Sequence, residues 1–140
     1  MPGTLHPKVI WVLIGTNDYS DRCSRESILA GNIAVMKEIV KQKPNSKIVI
    51  NSILPVGSAP LFGGDTTNER WKAYLWINAR LKCLASTSKN FYFFNGTSYF
   101  LNENKNQINY TLMEDYLHPS KEGALLWGQG IVEKLHEIIG

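Results

Sequence analysis

The sequence predicts an α/β fold, with a parallel sheet and flanking helices, in a single domain of 140 residues. Three observations predict it. A continuous apolar run, Lys8 to Ile14, is rich in branched and aromatic residues and reads as a strand buried on both faces, and a second buried strand follows at Lys47 to Ile53. Between and after them lie stretches whose apolar residues recur at helical spacing. Strand and helix alternate along the chain, which calls for parallel strands joined by right-handed crossovers.

The first strand, Lys8 to Ile14, is stopped by Gly15. Ser24 or Ser27 caps the helix that follows, in which Ile28, Leu29, Ile33, Met36, Ile39 and Val40 mark the apolar face. Lys41 and Lys43 suit its C-terminal end and Pro44 closes it. After the second strand, the stretch from Leu54 to Thr67 holds Pro55, Gly57, Pro60, Gly63 and Gly64 and reads as an irregular, exposed loop. Thr66 or Thr67 opens a second helix carrying Trp71, Leu75, Ile77, Leu81 and Leu84, and Phe91 to Phe94 is the third strand. The Asn-rich stretch Asn95 to Asn109 reads as a loop carrying the chain over the sheet edge. Ser120 caps a last helix with Leu125, Leu126, Ile131, Val132, Leu135 and Ile138. Gly123, Gly128 and Gly130 each weaken that helix by up to about 1 kcal/mol relative to Ala, so close packing is their expected purpose.

Composition narrows the function. Hydrophobic residues make up 44% and charged residues 19%, an ordinary globular balance that supports a real core. The net charge of +3 comes from scattered Lys and Arg, with no basic stripe or aromatic run of the kind that binds nucleic acid. No apolar stretch approaches the roughly 20 residues of a membrane helix. Cys23 and Cys83 lack metal-ligand spacing and read as inert thiols, so neither a metal site nor a disulfide framework is expected. Met1-Pro2-Gly3 begins no secretory signal, and the sequons at Asn95 and Asn109 are too easily met by chance in an Asn-rich chain to assign a compartment. His6 and His136 have no partners at ligand spacing and read as surface residues, and the four tryptophans read as packing aromatics.

Two short motifs carry chemistry. Gly15-Thr16-Asn17-Asp18 ends the first strand, and Asp115-Tyr116-Leu117-His118-Pro119-Ser120 opens the last helix. In open α/β sheets ligands bind beyond the carboxyl ends of strands, where both motifs belong. An Asn offers an N–H donor for a developing oxyanion, a His can shuttle a hydroxyl proton, and an Asp three residues earlier can fix its tautomer. Each motif alone is an ordinary turn or helix start.

Taken together and in this order, the motifs resemble those of the SGNH (or GDSL) hydrolase family, over essentially the whole chain. Gly15 to Asp18 is similar to the family's third block and Asp115 to His118 to its fifth. Ile53-Leu54-Pro55 is similar to the segment ending the family's fourth strand, and Asn78-Ala79-Arg80-Leu81 to the helix after it. Within the family the pattern looks most like the platelet-activating-factor acetylhydrolase catalytic subunits and related small acylesterases. The resemblance implies a flavodoxin-like three-layer fold and cleavage of a small acyl ester without cofactor or metal. In that implied site Asn17 is an oxyanion donor, His118 the general base, Asp115 its orienting partner, and Gly15 part of the supporting turn.

One part of the family pattern is missing. The Gly-Asp-Ser block that supplies the nucleophile, and the Gly block that completes the oxyanion hole, have no counterpart before Lys8. Ser20 and Ser24 lie near the third block, but nothing in the sequence sets either opposite His118. The chain is therefore expected to be an N-terminally shortened domain, with Met1 an internal methionine and the first strand–helix units lacking. The Val9 to Ile14 edge would then be apolar and unpaired, with no charge or Pro to protect it. Two functions follow: a serine ester hydrolase whose serine lies outside this chain, or a non-catalytic binding or structural subunit on the same scaffold. A partner chain supplying the serine is a variant of the second, and oligomerisation is possible in both. Trp127 is in addition a candidate lining of an acyl pocket.

Overall fold

A computed structural model describes residues 5–15, 23–56, 69–102, 108–114 and 118–140. The element order is strand β1 (Val9–Val12), helix α1 (Arg25–Gln42), strand β2 (Lys47–Asn51), helix α2 (Glu69–Ala85), strand β3 (Phe91–Phe94), a 3-10 helix (Gly96–Phe100) and helix α3 (Lys121–Ile139). The strands form one parallel sheet in the order β1-β2-β3, with Trp11 opposite Val49 and Val49 opposite Tyr92. The alternation of strand and helix thus yields the expected parallel α/β sheet.

Period-two alternation decides which layer each side chain joins. Val12, Ile48 and Ile50 enter the main core, with Ile10, Phe91 and Phe93 packed against it. Ile28 and Met36 from α1 and Trp71, Tyr74, Ile77 and Leu81 from α2 complete that layer. The opposite face carries Trp11, Asn51, Tyr92 and Phe94 and receives α3: Trp127 reaches Asn51, and the Lys134 ammonium lies 5.9 Å from the Tyr92 ring. A smaller core of Phe100, Ile108, Leu112 and Met113 fills the end of that layer, with Trp127 and Tyr99 against it.

Local chemistry sets the helix ends. Ser24, not Ser27, caps α1: its Oγ accepts the Ser27 N–H at 3.1 Å, a contribution of about 1 kcal/mol. Ser120 caps α3 in the same way, accepting from the Gly123 N–H at 3.1 Å. The expected starts of α2 at Thr66 or Thr67 lie outside the described residues, as do 57–68 of the predicted loop. Pro55 and Val56 within that predicted exposed loop are buried. The described part of the Asn95 to Asn109 stretch is not all loop, since it contains the 3-10 helix and an antiparallel bridge between Leu101 and Ile108.

Three sequence expectations are corrected by the packing. Of the first strand only Val12 is buried and Val9, Ile10 and Trp11 are half-buried, because β1 stands at the end of the sheet that the described residues form. Leu75 is 49% exposed, because Ala73, Tyr74, Ile77 and Asn78 turn the buried face of α2 away from it. Most consequential is α3, whose buried residues are Gly123 and Gly130 while Leu125, Val132 and Ile139 stand more than half exposed. It docks through its glycines. A Cβ on Gly123 would lie 2.3 Å from the Leu112 carbonyl oxygen, and one on Gly130 would lie 2.2 Å from the Tyr99 hydroxyl. Gly128 faces open space, so the packing explanation holds for two of the three.

Candidate active site

Gly15 closes β1 in a conformation that only glycine adopts without strain, with φ at +123°. A side chain there would also collide with Ile53 Cδ1, 2.9 Å from the Cβ position. Ile28 and Asn32 of α1 flank the same spot, and Asn32 is held by its amide donating to the Ile28 carbonyl at 3.0 Å. The turn that the sequence assigns to an oxyanion donor therefore departs from a rigid, buried point. Asn17 itself lies outside the described residues.

The segment leading to α3 is fixed at both ends. Leu112 and Met113 donate their N–H groups to the Asn109 carbonyl, and Ser120 N–H returns to the Leu112 carbonyl at 2.8 Å. Ser120 Oγ adds a bond to the Thr111 carbonyl at 2.7 Å while also capping the helix. His118, two residues before this cap, is exposed. Asp115 lies outside the described residues, so the His118–Asp115 pairing is an expectation carried forward.

The direction of α3 places His118. Trp127 meets Asn51 at the carboxyl end of β2, whereas Lys134, two turns later, meets Tyr92 nearer the start of β3. The helix thus runs antiparallel to the strands, and its N-terminus projects past their carboxyl ends. Gly15 ends β1 at that same edge. The fold brings these two predicted residues to one side of the sheet.

Side chains that the sequence reading passed over build the rest of that edge. Asn51 Oδ1 accepts from both Trp11 Nε1 at 2.9 Å and Trp127 Nε1 at 3.2 Å, joining β1, β2 and α3 at one oxygen. Asn78 clasps the Ile53 backbone, accepting its N–H at 2.7 Å and donating to its carbonyl at 3.0 Å. Ser52 Oγ and Thr97 Oγ1 lie 2.7 Å apart and tie β2 to the 3-10 helix. Their signal was present: Asn51-Ser52 interrupts an apolar strand, and a polar group in such a run needs a partner. Trp127 belongs to this lock.

Ser24, one of the two serines near the third block, is engaged as the α1 cap and also contacts Ser27 Oγ at 3.1 Å. Ser20 lies outside the described residues. Cys23 and Cys83 are free and exposed, and His6 and His136 are exposed as expected. Among the described residues no cluster of three His, Cys, Asp or Glu could hold a metal ion, and no helix is long and apolar enough to cross a membrane.

Comparison with known proteins agrees with this architecture. Residues 1–126 match the model of the GDSL-like Lipase/Acylhydrolase family. Over 56 residues, 40% of this chain and 24% of the relative, the sequence is 36% identical to platelet-activating factor acetylhydrolase IB subunit alpha2 of Gallus gallus. A Streptococcus pneumonia structure assigned as a platelet activating factor superposes with TM-score 0.78 at 22% identity, covering 91% of this chain and 59% of its own. A GDSL-like lipase of Bacteroides thetaiotaomicron gives TM-score 0.74 at 22% identity, covering 94% of this chain and 63% of its own. At such identities these structures establish the fold. The chain spans less than two thirds of the length of each of these three relatives.

Proposed function

Because this chain belongs to the GDSL-like lipase/acylhydrolase family, we propose that it carries the His–Asp half of a serine ester hydrolase whose serine lies outside the 140 residues. The observation that carries this reading is the antiparallel seating of α3, which delivers His118 to the sheet edge where Gly15 ends β1. The state of β1 supports the second half of the reading. It is an outer strand with half-buried apolar residues, beside a helix whose Leu125 and Val132 stand exposed. Strand–helix units pairing along β1 would cover both surfaces and bring in the nucleophile.

In the proposed reaction the serine oxygen attacks the ester carbonyl while His118 Nε2 takes its proton. Asp115 bonds the other ring nitrogen and stabilises the imidazolium, and the Asn17 side-chain N–H stabilises the tetrahedral oxyanion. His118 returns the proton to the departing alkoxide, leaving an acyl-serine. Water, deprotonated by the same His, releases the carboxylic acid and restores the serine. The substrate class is a small acyl ester.

The second reading is a non-catalytic subunit on the same scaffold. One experiment separates them. The protein isolated from its natural source is treated with a serine-directed fluorophosphonate, and the labelled peptide is mapped. A label on a serine preceding Pro2 in the same polypeptide supports the hydrolase, and hydrolysis of p-nitrophenyl acetate should fall at least about 10³-fold in its His118→Ala variant. A label on a co-purifying chain identifies a two-chain site. Neither label nor hydrolysis establishes the non-catalytic subunit.

A further inference from the structure

On the far side of the main core from α1, a groove of about 700 Å³ runs between α2 and the segment that follows β3. That volume lies within the range of small-molecule sites. One wall is a single stripe of α2, Trp71, Leu75, Ala79 and Lys82, with Asn78 beside it. At the helical rise this stripe is about 16 Å long. Phe93 and Leu101 form the apolar part of the opposite wall.

The chemistry of the lining is uneven in a way that selects a ligand. Ser52, Thr97 and Asn78 are polar, but their hydrogen bonds are made to one another or to the Ile53 backbone. They form a closed floor and call for no polar partner in the middle of the groove. The walls above them are apolar at Trp71, Leu75, Ala79, Phe93 and Leu101 and polar at Asn95 and Ser98, and Leu75 leaves about half its surface in water. Burying such a surface is favourable at roughly 25 cal/mol per Å². At one end stands Lys82, an exposed cation with no carboxylate in ion-pair contact among the described residues.

We infer that this groove binds a single-chain amphipathic anion, its alkyl chain lying against Leu75, Phe93 and Leu101 and its charged head at Lys82. The length of the stripe suits a chain of medium length, and the charge at its end selects a carboxylate-type head over a cationic or neutral one. The site is independent of the ester-cleaving reading: none of its lining residues is assigned to that chemistry, and binding requires no serine.

The test is a titration of the full chain, in the assembly in which it purifies, with decanoate and with decyltrimethylammonium. Calorimetry and quenching of tryptophan emission follow binding, since Trp71 lies in the wall. Saturable binding of decanoate, at least tenfold tighter than the cationic amphiphile, is expected. Lys82→Gln should weaken decanoate about three- to fivefold, the range for one exposed charge pair. Leu75→Glu, at an exposed position whose change leaves the fold intact, should weaken it at least tenfold by setting a carboxylate against the ligand. Equal binding of the two amphiphiles overturns the assigned charge. Unchanged decanoate affinity in Leu75→Glu, with an unchanged circular dichroism spectrum, overturns the groove as the site.

Discussion

Trp127 Nε1 donates to Asn51 Oδ1 across 3.2 Å, fastening the last helix to the central strand two turns after His118. The same oxygen accepts from Trp11 Nε1 at 2.9 Å, so one buried amide holds three elements together. Asn51→Leu removes the acceptor and strands two indole donors. The expected cost is about 2–3 kcal/mol, below the full penalty for two buried donors because both tryptophans are only part-buried. Urea unfolding measures it, and a loss under about 0.5 kcal/mol, within the range of ordinary surface changes, would remove Asn51 from this role.

Two glycines of α3 should respond in opposite directions to the same substitution. Gly123→Ala drives a methyl to 2.3 Å from a backbone oxygen that cannot step aside, and about 2 kcal/mol or more is lost. Gly128→Ala meets nothing within 4 Å and gains helix propensity, raising stability by about 0.5–1 kcal/mol. Thermal melts of the pair, read against the parent, check both signs at once.

Gly15→Ala combines a positive φ with a 2.9 Å approach to Ile53 Cδ1. A loss of about 1–3 kcal/mol is expected. Because this residue precedes the proposed oxyanion donor Asn17 by two positions, ester cleavage in the hydrolase proposed above should fall with it, measured as kcat on p-nitrophenyl acetate. Intact activity would argue against the role proposed for the turn.

The outer edge of β1 should make the isolated chain self-associate or remain molten. Among the described residues β1 pairs on one side only, and such an edge beside half-buried Val9 and Ile10 is a template for a further strand. Val9→Lys places a charge on that edge, and sedimentation velocity should show a shift from aggregate toward monomer. A sharp, cooperative melt of a monomeric parent chain would overturn the expectation.

Glu26, in the first turn of α1, has its carboxyl held below the usual value of 4.5, first by its own backbone N–H and then by the Arg25 side chain. A depressed folded pKa means that this stabilisation is present above the ordinary carboxylate range and is lost as pH falls through the lowered value. Glu26→Gln should therefore flatten the acid limb of the stability–pH curve below about pH 4.5 and leave its basic limb unchanged. Melting temperatures across that range read the difference.

How much of this was written in the chain alone follows from which interactions are local. Strand–helix alternation, the Ser120 cap and the two motifs depend on period, spacing and residue chemistry within a few positions, so they were legible in the sequence. The choice of Ser24 over Ser27 as a cap and the exposure of Leu75 depend on which face meets a neighbour, and no local pattern carries that. The union of Asn51 with Trp11 and Trp127 spans 40 and 76 residues of sequence. Only when the sheet closes do these three groups meet, because a hydrogen bond is set by distance in space. The same closure sends α3 back along the strands and leaves His118 at the edge where Gly15 ends β1. Residue chemistry and spacing supply the parts and their order; long-range packing, which spacing along a chain does not encode, sets which edge they share and which surfaces stay open.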